Sequence, residues 1–520
     1  STDYIIPQRY ILGILGFLAF ALTYVQRFCL SITITEMAHV EHKISNKTLQ
    51  CPGPVFFKNQ TIVKHYEFDW DEKTQGLILS SFFWGYVLNH LPGALIAERY
   101  GGKYVLGFGL FLSTIATLAT PLAARTFGAW GIIVARFIVG VGQGPAYPSM
   151  NVLLAQWVPK TERGRLGALV FAGAQIGNVV SMAASGLLIR YLGGWTSVFY
   201  VFGACGLAWF CLWMAFAYND PSQNPHLSEY ERKYLMASMG HLKQKTKQDL
   251  PPTPWGKIAT SGPVIGLIIA QIGHDFGLFT IITDLPKYMA DVLHFSITSN
   301  GILSALPLMM MWVMAILSGW IVDLLISKKN WSVTFVRKLF VTIASVGPGL
   351  GILAASYSGC NRFAVAISFT LGMGTMGAFL PSLKVNALDL SPNYAGTLMA
   401  LVGGIGALSG TVSPYLVGVL TPNSTITEWR VVFWIAFFVL TITNVIYCFM
   451  GSGDVQEWNE PLSMKEKKEP LEDNNNISAN NNGELTKFNG ELTKYNGELT
   501  KYNGELTKYN GELTNYKTPM

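Results

Sequence analysis

Long apolar runs, separated by short polar stretches, dominate the pattern of this chain. Taking runs of about 18–25 residues as membrane spans, the pattern predicts helices over 11–36, 74–98, 104–123, 128–150, 165–190 and 197–218. A polar stretch, 219–261, intervenes, and six more spans follow over 262–287, 298–325, 335–357, 363–385, 395–420 and 430–451. Runs such as Ile132–Val141 and Val431–Tyr447 have no place in water but do in lipid. The expectation is an all-α membrane protein of twelve transmembrane helices in two six-helix halves, 1–218 and 262–451, joined by a cytoplasmic central loop, 219–261. The first apolar run, from Ile11 to about Met37, is too long for a signal-peptide core and lacks a small-residue cleavage pattern, so it reads as a span.

From 452 the material changes. Five tandem copies of Asn-Gly-Glu-Leu-Thr-Lys-aromatic start at Asn482, Asn489, Asn496, Asn503 and Asn510, the last with Asn515 in place of Lys. Leu485, Phe488, Leu492 and Tyr495 repeat at a coiled-coil spacing. Each repeat also carries an Asn-Gly, and a glycine costs a helix about 1 kcal/mol. Residues 452–520 are therefore read as a disordered cytosolic tail, with docking of a cytosolic partner as the alternative.

Composition agrees with the pattern: half the residues are hydrophobic, only 13% are charged and the mean hydropathy is +0.33, where a soluble domain carries roughly 25% charged residues. The net charge of +6 forms no basic stripe with interleaved aromatics, so nucleic-acid binding has no support. It collects on one side instead. With both termini inside, the cytoplasm receives Arg99, Lys103, Lys160, Arg163, Arg165, Lys243, Lys245, Lys247, Lys257, Lys328, Lys329, Arg337 and Lys338. The short outer loops carry single basic residues such as Arg125 and Arg362, which is the positive-inside asymmetry. Glycosylation triplets at Asn46, Asn59 and Asn423 fall outside in this orientation; those at Asn330 and Asn476 fall inside, so the triplet alone is weak. Cys29, Cys205, Cys211 and Cys448 lie in spans and read as small core residues. Cys51 and Cys360 fall in outer segments, where position carries no distance information; a bridge between them is not expected but stays open. No metal-ligand spacing is present, and no nucleophile–base set appears in the spans, so an enzyme is not expected.

The second span ends in Gly93-Ala-Leu-Ile-Ala-Glu98-Arg99-Tyr-Gly101-Gly-Lys103, and the eighth in Gly319-Trp-Ile-Val-Asp323 followed by Lys328 and Lys329. Recurrence six spans later points to two related halves, with the small residue allowing close helix packing.

Ionisable groups inside spans are the informative ones, because their desolvation must be offset by pairing or function. Arg27 lies in the first span, Arg136 in the fourth, and His274 with Asp275 in the seventh. At 1.5 Å per residue, Arg27 stands roughly 24 Å above the cytoplasmic edge, and Arg136 and His274 about 18 Å above it. The three fall in one layer, where cations from both halves would form an anion site. The structural alternatives are snorkelling for Arg27, a pairing with Asp275 for Arg136, and a satisfied core histidine for His274. Asp389, beside Ser391-Pro392, reads as a helix cap. Gly140, Gly142, Gly144, Pro145 and Pro148 in the fourth span, with Gly403, Gly404, Gly406 and Gly410 in the eleventh, either loosen those helices or pack them closely.

Several longer strings carry a resemblance. They include Gly76-Leu-Ile-Leu-Ser-Ser-Phe-Phe-Trp-Gly-Tyr86, Ala135-Arg-Phe-Ile-Val-Gly-Val-Gly-Gln-Gly144, Trp157-Val-Pro-Lys-Thr-Glu-Arg-Gly-Arg165 and Gly194-Trp-Thr-Ser-Val-Phe-Tyr200. Asn386-Ala-Leu-Asp-Leu-Ser-Pro-Asn-Tyr-Ala395, Glu428-Trp-Arg-Val-Val-Phe433 and Gly451-Ser-Gly-Asp-Val-Gln-Glu-Trp458 complete the set. On these strings, from about Arg9 to Pro461, the chain resembles the major facilitator superfamily and, within it, the anion:cation symporter family. The resemblance implies that Arg27 and Arg136 match anion-binding arginines, and that Tyr86 and Tyr147 line the same cavity. It also marks departures. Leu79 stands where the glutamate-carrying branch has a histidine, and His274 where it has a third arginine. Gln143 and Val139 stand where proton-coupled branches have glutamates, which resembles the phosphate-cotransporter-like branch.

The combined expectation is a cation-coupled symporter of a small inorganic or organic anion, working by alternating access from the plasma membrane. Arg27, Arg136, Tyr86 and Tyr147 would bind the anion. Na⁺ or H⁺ would be the coupling ion, with His274, Asp275 and Gln143 as candidates, and no cofactor or metal is expected. The alternatives are a proton-driven lysosomal or vesicular organic-anion exporter and a non-transporting nutrient receptor.

Overall fold

The structure is a computed structural model that describes residues 7–38, 51, 67–239, 253–329, 331–392 and 394–459. Regular structure among these residues is helical, apart from one isolated bridge between Ala38 and Phe68. The first half begins with α1 (Gln8–Met37) and α2 (Glu72–Tyr100). The stretch Gly102–Gln143 folds back at Gly128, whose φ is +58°, and so supplies α3 (102–127) and α4 (129–143, continued by Ala146–Trp157). This half closes with α5 (Lys160–Tyr191) and α6 (Thr196–Phe216). The second half contains α7 (Gly262–Lys287), α8 (Ile297–Lys329) and α9 (Val333–Tyr357). It continues with α10 (Arg362–Met376, then a π turn Leu380–Lys384 and Val385–Leu390), α11 (Ala395–Gly406 and Leu408–Leu420) and α12 (Ile426–Met450).

Ten stretches among the described residues are long and apolar enough to span a bilayer; the 56-residue stretch Gly102–Trp157 counts as two helices, and α2 supplies the twelfth. Helices suit this solvent because they satisfy their own backbone groups. Leu88, Leu91 and Leu95 of α2 and Phe108, Leu112 and Ile115 of α3 point outward, exposed as lipid-facing residues should be. Helix ends follow local chemistry. Asp71 caps α2 by accepting from the Thr74 N–H at 3.0 Å, and Thr425 with Glu428 forms a capping box on α12. Gly101 joins α2 to α3 at φ +93°, and a Cβ there would collide with Asn219.

The glycines of α4 serve close packing, and the helix runs unbroken to Gln143. A Cβ on Gly140 would stand 2.0 Å from the Phe82 carbonyl oxygen, and one on Gly85 would stand 2.1 Å from that of Phe137, so α2 and α4 touch backbone to backbone. A Cβ on Gly93 would likewise fall 2.4 Å from Pro145, whereas the nearest atom to a Cβ on Gly319 would lie 4.0 Å away. The paired motif is therefore tight in the first half only.

The two halves meet closely at the side that the charge pattern assigns as outer. A Cβ on Gly76 of α2 would lie 2.4 Å from the Pro414 carbonyl of α11, and one on Gly186 of α5 would lie 2.8 Å from the Ile297 carbonyl of α8. Lys287 at the end of α7 pairs with Glu72 at the start of α2, both buried, and Ser424 donates to the same carboxylate at 3.3 Å. Beyond them Cys51 and Cys360 form a disulfide with a Cα–Cα distance of 5.4 Å. That bridge was not expected, because its cysteines lie 309 residues apart and meet only when the halves pack.

On the inner side, the helix Glu229–Met239 of the central segment docks on the first half. Glu231 accepts from the Gln8 N–H at 2.8 Å, and Arg9 pairs with Glu162 at 3.0 Å. Three expectations change here. The ordered chain runs past 452 to Asn459, because the Gln456 N–H satisfies the Leu390 carbonyl at the end of α10 and Ser391 bonds Asn459. Asp389 is no cap: it forms a two-pronged ion pair with Arg337 of α9. Cys205 and Cys211 face outward from α6 and are not core. The repeat tail lies outside the described residues.

Candidate functional site

Arg27 sits two-thirds of the way along α1 and is buried at 6% exposure, so it does not snorkel. Its guanidinium carbon lies 4.6 Å from the ring centre of Tyr24, 4.7 Å from Phe82 and 4.8 Å from Tyr86. Its Nε donates to Gln143 Oε1 at 3.3 Å and the Tyr86 hydroxyl lies within hydrogen-bonding reach of the guanidinium, while Nη2 has no partner among the described residues. Gln143 is itself fixed, donating to Ser113 Oγ at 2.9 Å, and Ser113 donates to Gln26 Oε1 at 2.9 Å. Gln26 completes the chain by donating to Thr114 at 2.9 Å. Aromatic faces and neutral amides hold a cation without neutralising it, so its charge stays available to an anion.

Arg136 occupies the same layer and plays a different part. Its Nη1 donates to the Gln26 carbonyl at 2.9 Å and its Nη2 donates to the Arg27 carbonyl, with Nε unpartnered. It clamps α4 to α1 at the residue that carries the free guanidinium. Among the described residues, its polar partners are these backbone carbonyls; Asp275 lies elsewhere. Tyr147 bonds Tyr24 hydroxyl to hydroxyl at 2.9 Å and stacks near Phe20 and Phe171, which places it one step from Arg27.

In the second half, His274 lies flat on Phe379 with ring centres 3.3 Å apart, and its Nδ1 has no partner. Asp275 points another way, against Gly406 of α11, where a Cβ would fall 2.4 Å from Oδ2. Gln271 packs on the same glycine, and Lys384 lies within electrostatic reach of Asp275. Tyr86 feels both Arg27 and Asp275, so it stands at the seam of the halves. His90 continues that seam: its ring is 5.3 Å from Tyr86, and its Nδ1 bonds the Gly144 carbonyl at 3.0 Å. Asn46 and Asn59 lie outside the described residues, and Asn423 is exposed with its amide donating to Glu428 at 2.9 Å.

A separate narrow apolar crevice, too tight to hold a water-sized molecule, lies between α5, α7 and α8 and is lined by Met182, Ile281, Leu285, Pro286 and Pro307 among others. No charged side chain lines it, so it is not the anion site. Spacing gave no warning of Lys384, Gln26, Ser113 or His90. Lys384 lies beside a predicted span end, where polar residues are ordinary, His90 lies inside the second span but is neutral in its ordinary state, and Gln26 and Ser113 are uncharged.

The model describing the Major Facilitator Superfamily matches residues 16–414. A candidate inorganic phosphate cotransporter of Drosophila ananassae is 41% identical, over 78% of this chain and 84% of its own. Human sialin is 35% identical, over 86% of this chain and 90% of its own. The chain belongs to the major facilitator superfamily, in its anion:cation symporter family. Human vesicular glutamate transporter 2, at 34% identity over 90% of this chain and 78% of its own, is similar as well. Among solved structures, a bacterial homologue of the human lysosomal transporter Spinster, inward-facing and occupied, superposes with a TM-score of 0.65 at 12% identity, over 86% of this chain and 97% of that one. The D-xylose–proton symporter gives 0.62 at 14% identity, over 86% and 99%. At such identities these show the fold alone. As a member of this family the chain is a multi-pass membrane transporter.

Proposed function

We propose that this major facilitator protein is a secondary active transporter carrying a small anion, phosphate-like or carboxylate, by cation-coupled symport. The observation that carries this reading is the guanidinium of Arg27, buried in an aromatic cage with, among the described residues, Nη2 unpartnered and no carboxylate bound to it. Tyr86 supplies a phenol hydroxyl beside it, Tyr147 a second one at a remove through Tyr24, and Arg136 fixes its backbone. The relatives named for phosphate and glutamate are consistent with an anion as cargo. Na⁺ or H⁺ couples the movement, with His274 and Asp275 in the second half; Gln143, an amide held at both ends, serves by orienting Arg27. The protein works at the plasma membrane, glycosylated at Asn46, Asn59 and Asn423, and its repeat tail recruits a cytosolic partner.

Uptake of radiolabelled phosphate and a panel of organic anions into cells bearing the protein at their surface tests this. Each anion is measured with and without Na⁺ at two pH values. Saturable uptake that follows the Na⁺ or the proton gradient is expected. Export from acidic vesicles only would move the site of action to an organelle, and no flux with protein at the surface would favour a receptor.

A further inference from the structure

The second half holds a cation that the reading above leaves unused. Lys384 closes the π turn of α10, a distortion that recurs at functional sites. Its side chain is half-buried, with Nζ 5.8 Å from the Phe379 ring centre and 4.0 Å from where a Cβ on Gly403 of α11 would stand. Among the described residues the ammonium has no hydrogen bond and no carboxylate within 4.0 Å; Asp275 and His274 of α7 and His90 of α2 lie within its electrostatic reach.

A continuous path joins it to Arg27. A Cβ on Gly404, next to Gly403, would stand 3.3 Å from the His90 ring. That ring is 5.3 Å from Tyr86, and Tyr86 is 4.8 Å from the Arg27 guanidinium. His90 is reached by the fields of both cations. Around this path three buried side chains have unpartnered polar atoms: Nη2 of Arg27, Nδ1 of His274 and Oε1 of Gln271. Their exposures of 6%, 4% and 2% place them out of reach of bulk water, and an unmade buried hydrogen bond is expensive. Two incompletely satisfied cations, one on each half, are what an anion with acceptors at both ends would bridge.

We propose that Lys384 is the substrate-binding cation of the second half, so that a small anion such as phosphate or a dicarboxylate spans from Arg27 to Lys384. This rests on the anion-transport reading. Asp275 balances the lysine charge in the empty site and yields it when the anion arrives. His274, pinned flat on Phe379, leaves that task to Lys384. A compact ammonium on a flexible stem follows the anion as the halves rock, and a contact made by both halves ties binding to their closure.

The test uses the full chain in proteoliposomes, with inorganic phosphate and glutamate as probes. Lys384→Gln is expected to raise KM at least tenfold for the transported anion with the maximal rate within twofold, and Lys384→Arg to restore KM to within threefold of wild type. The anion should raise the melting temperature of the wild type and the arginine variant but not of the glutamine variant. Should the glutamine variant not accumulate, Lys384→Met is judged by the same criteria. A wild-type KM in the glutamine or methionine variant overturns the proposal, and so does a melting temperature lowered without anion together with no rescue by arginine. If the wild type neither carries nor is stabilised by either probe, the anion reading itself fails and this inference falls with it.

Discussion

At the scale of single residues, two arginines that look equivalent do unlike work. Arg27 presents a guanidinium with one open edge, whereas Arg136 gives both terminal nitrogens to the carbonyls of Gln26 and Arg27. Arg136→Ala leaves two buried carbonyls without those donors and should destabilise the protein by about 2–5 kcal/mol, read as a lower melting temperature. Arg136→Lys should rescue it poorly, since an ammonium lacks the planar fork that spans both acceptors. Gln143→Glu sets a carboxylate 3.3 Å from Arg27 in place of the amide oxygen. Anion uptake by that variant should fall at neutral pH and recover on acidification, as the carboxyl protonates and again resembles the amide; uptake that ignores pH would contradict the role given to Arg27. The sequence made Arg27 legible because a charge inside a span has few innocent explanations. It did not separate Arg27 from Arg136, because the difference lies in partners contributed by another helix.

At the scale of elements, the spans were readable because lipid enforces long apolar helices, and the seam between them was not. The outer latch shows why. Glu72 and Lys287 sit at the ends of α2 and α7, where charges are ordinary in sequence, yet in the fold they are 3% and 1% exposed. Lys287→Met strips Glu72 of its buried partner and should destabilise by about 3–5 kcal/mol, Glu72→Gln should cost less because Asp284 and Asp291 also lie near Lys287, and the double variant should recover most of the larger loss. Equal loss in all three would deny the pairing. A second outer contact, Glu67 with Arg125 at 2.7 Å and with Trp195 at 2.9 Å, is exposed. The Arg125 hydrogen bond holds the Glu67 carboxyl below its ordinary value. Its contribution is therefore complete above the ordinary carboxylate range and disappears as pH falls through the lowered value. Exposure keeps it small. Glu67→Gln should flatten only that acid limb of a stability–pH profile.

At the scale of the whole molecule, the halves are drawn together on the outer side by backbone contact at Gly76 and Gly186, by the Glu72–Lys287 pair and by the Cys51–Cys360 bridge. A transporter that alternates access must part the first two. The bridge need not break, because both of its cysteines lie between helices, Cys51 between α1 and α2 and Cys360 between α9 and α10, outside the surfaces that part. Cys51→Ser with Cys360→Ser should lower the melting temperature and leave transport in place; abolished transport in a well-folded double variant would make the bridge part of the cycle. The two-half plan was legible from the motif at Gly93 and its echo at Gly319, although only the first is a tight contact. The bridge was not legible, since no local pattern brings residues so distant in sequence together.

Transport of an anion turns on Arg27, the proposed anion-binding cation of the first half. Initial rates of anion uptake into proteoliposomes holding the wild type or Arg27→Ala, matched for melting temperature and amount, test it most directly. Saturable uptake by the wild type is expected, with a loss of at least a hundredfold in Vmax/KM for the alanine variant. Undiminished uptake by a folded Arg27→Ala protein would contradict it.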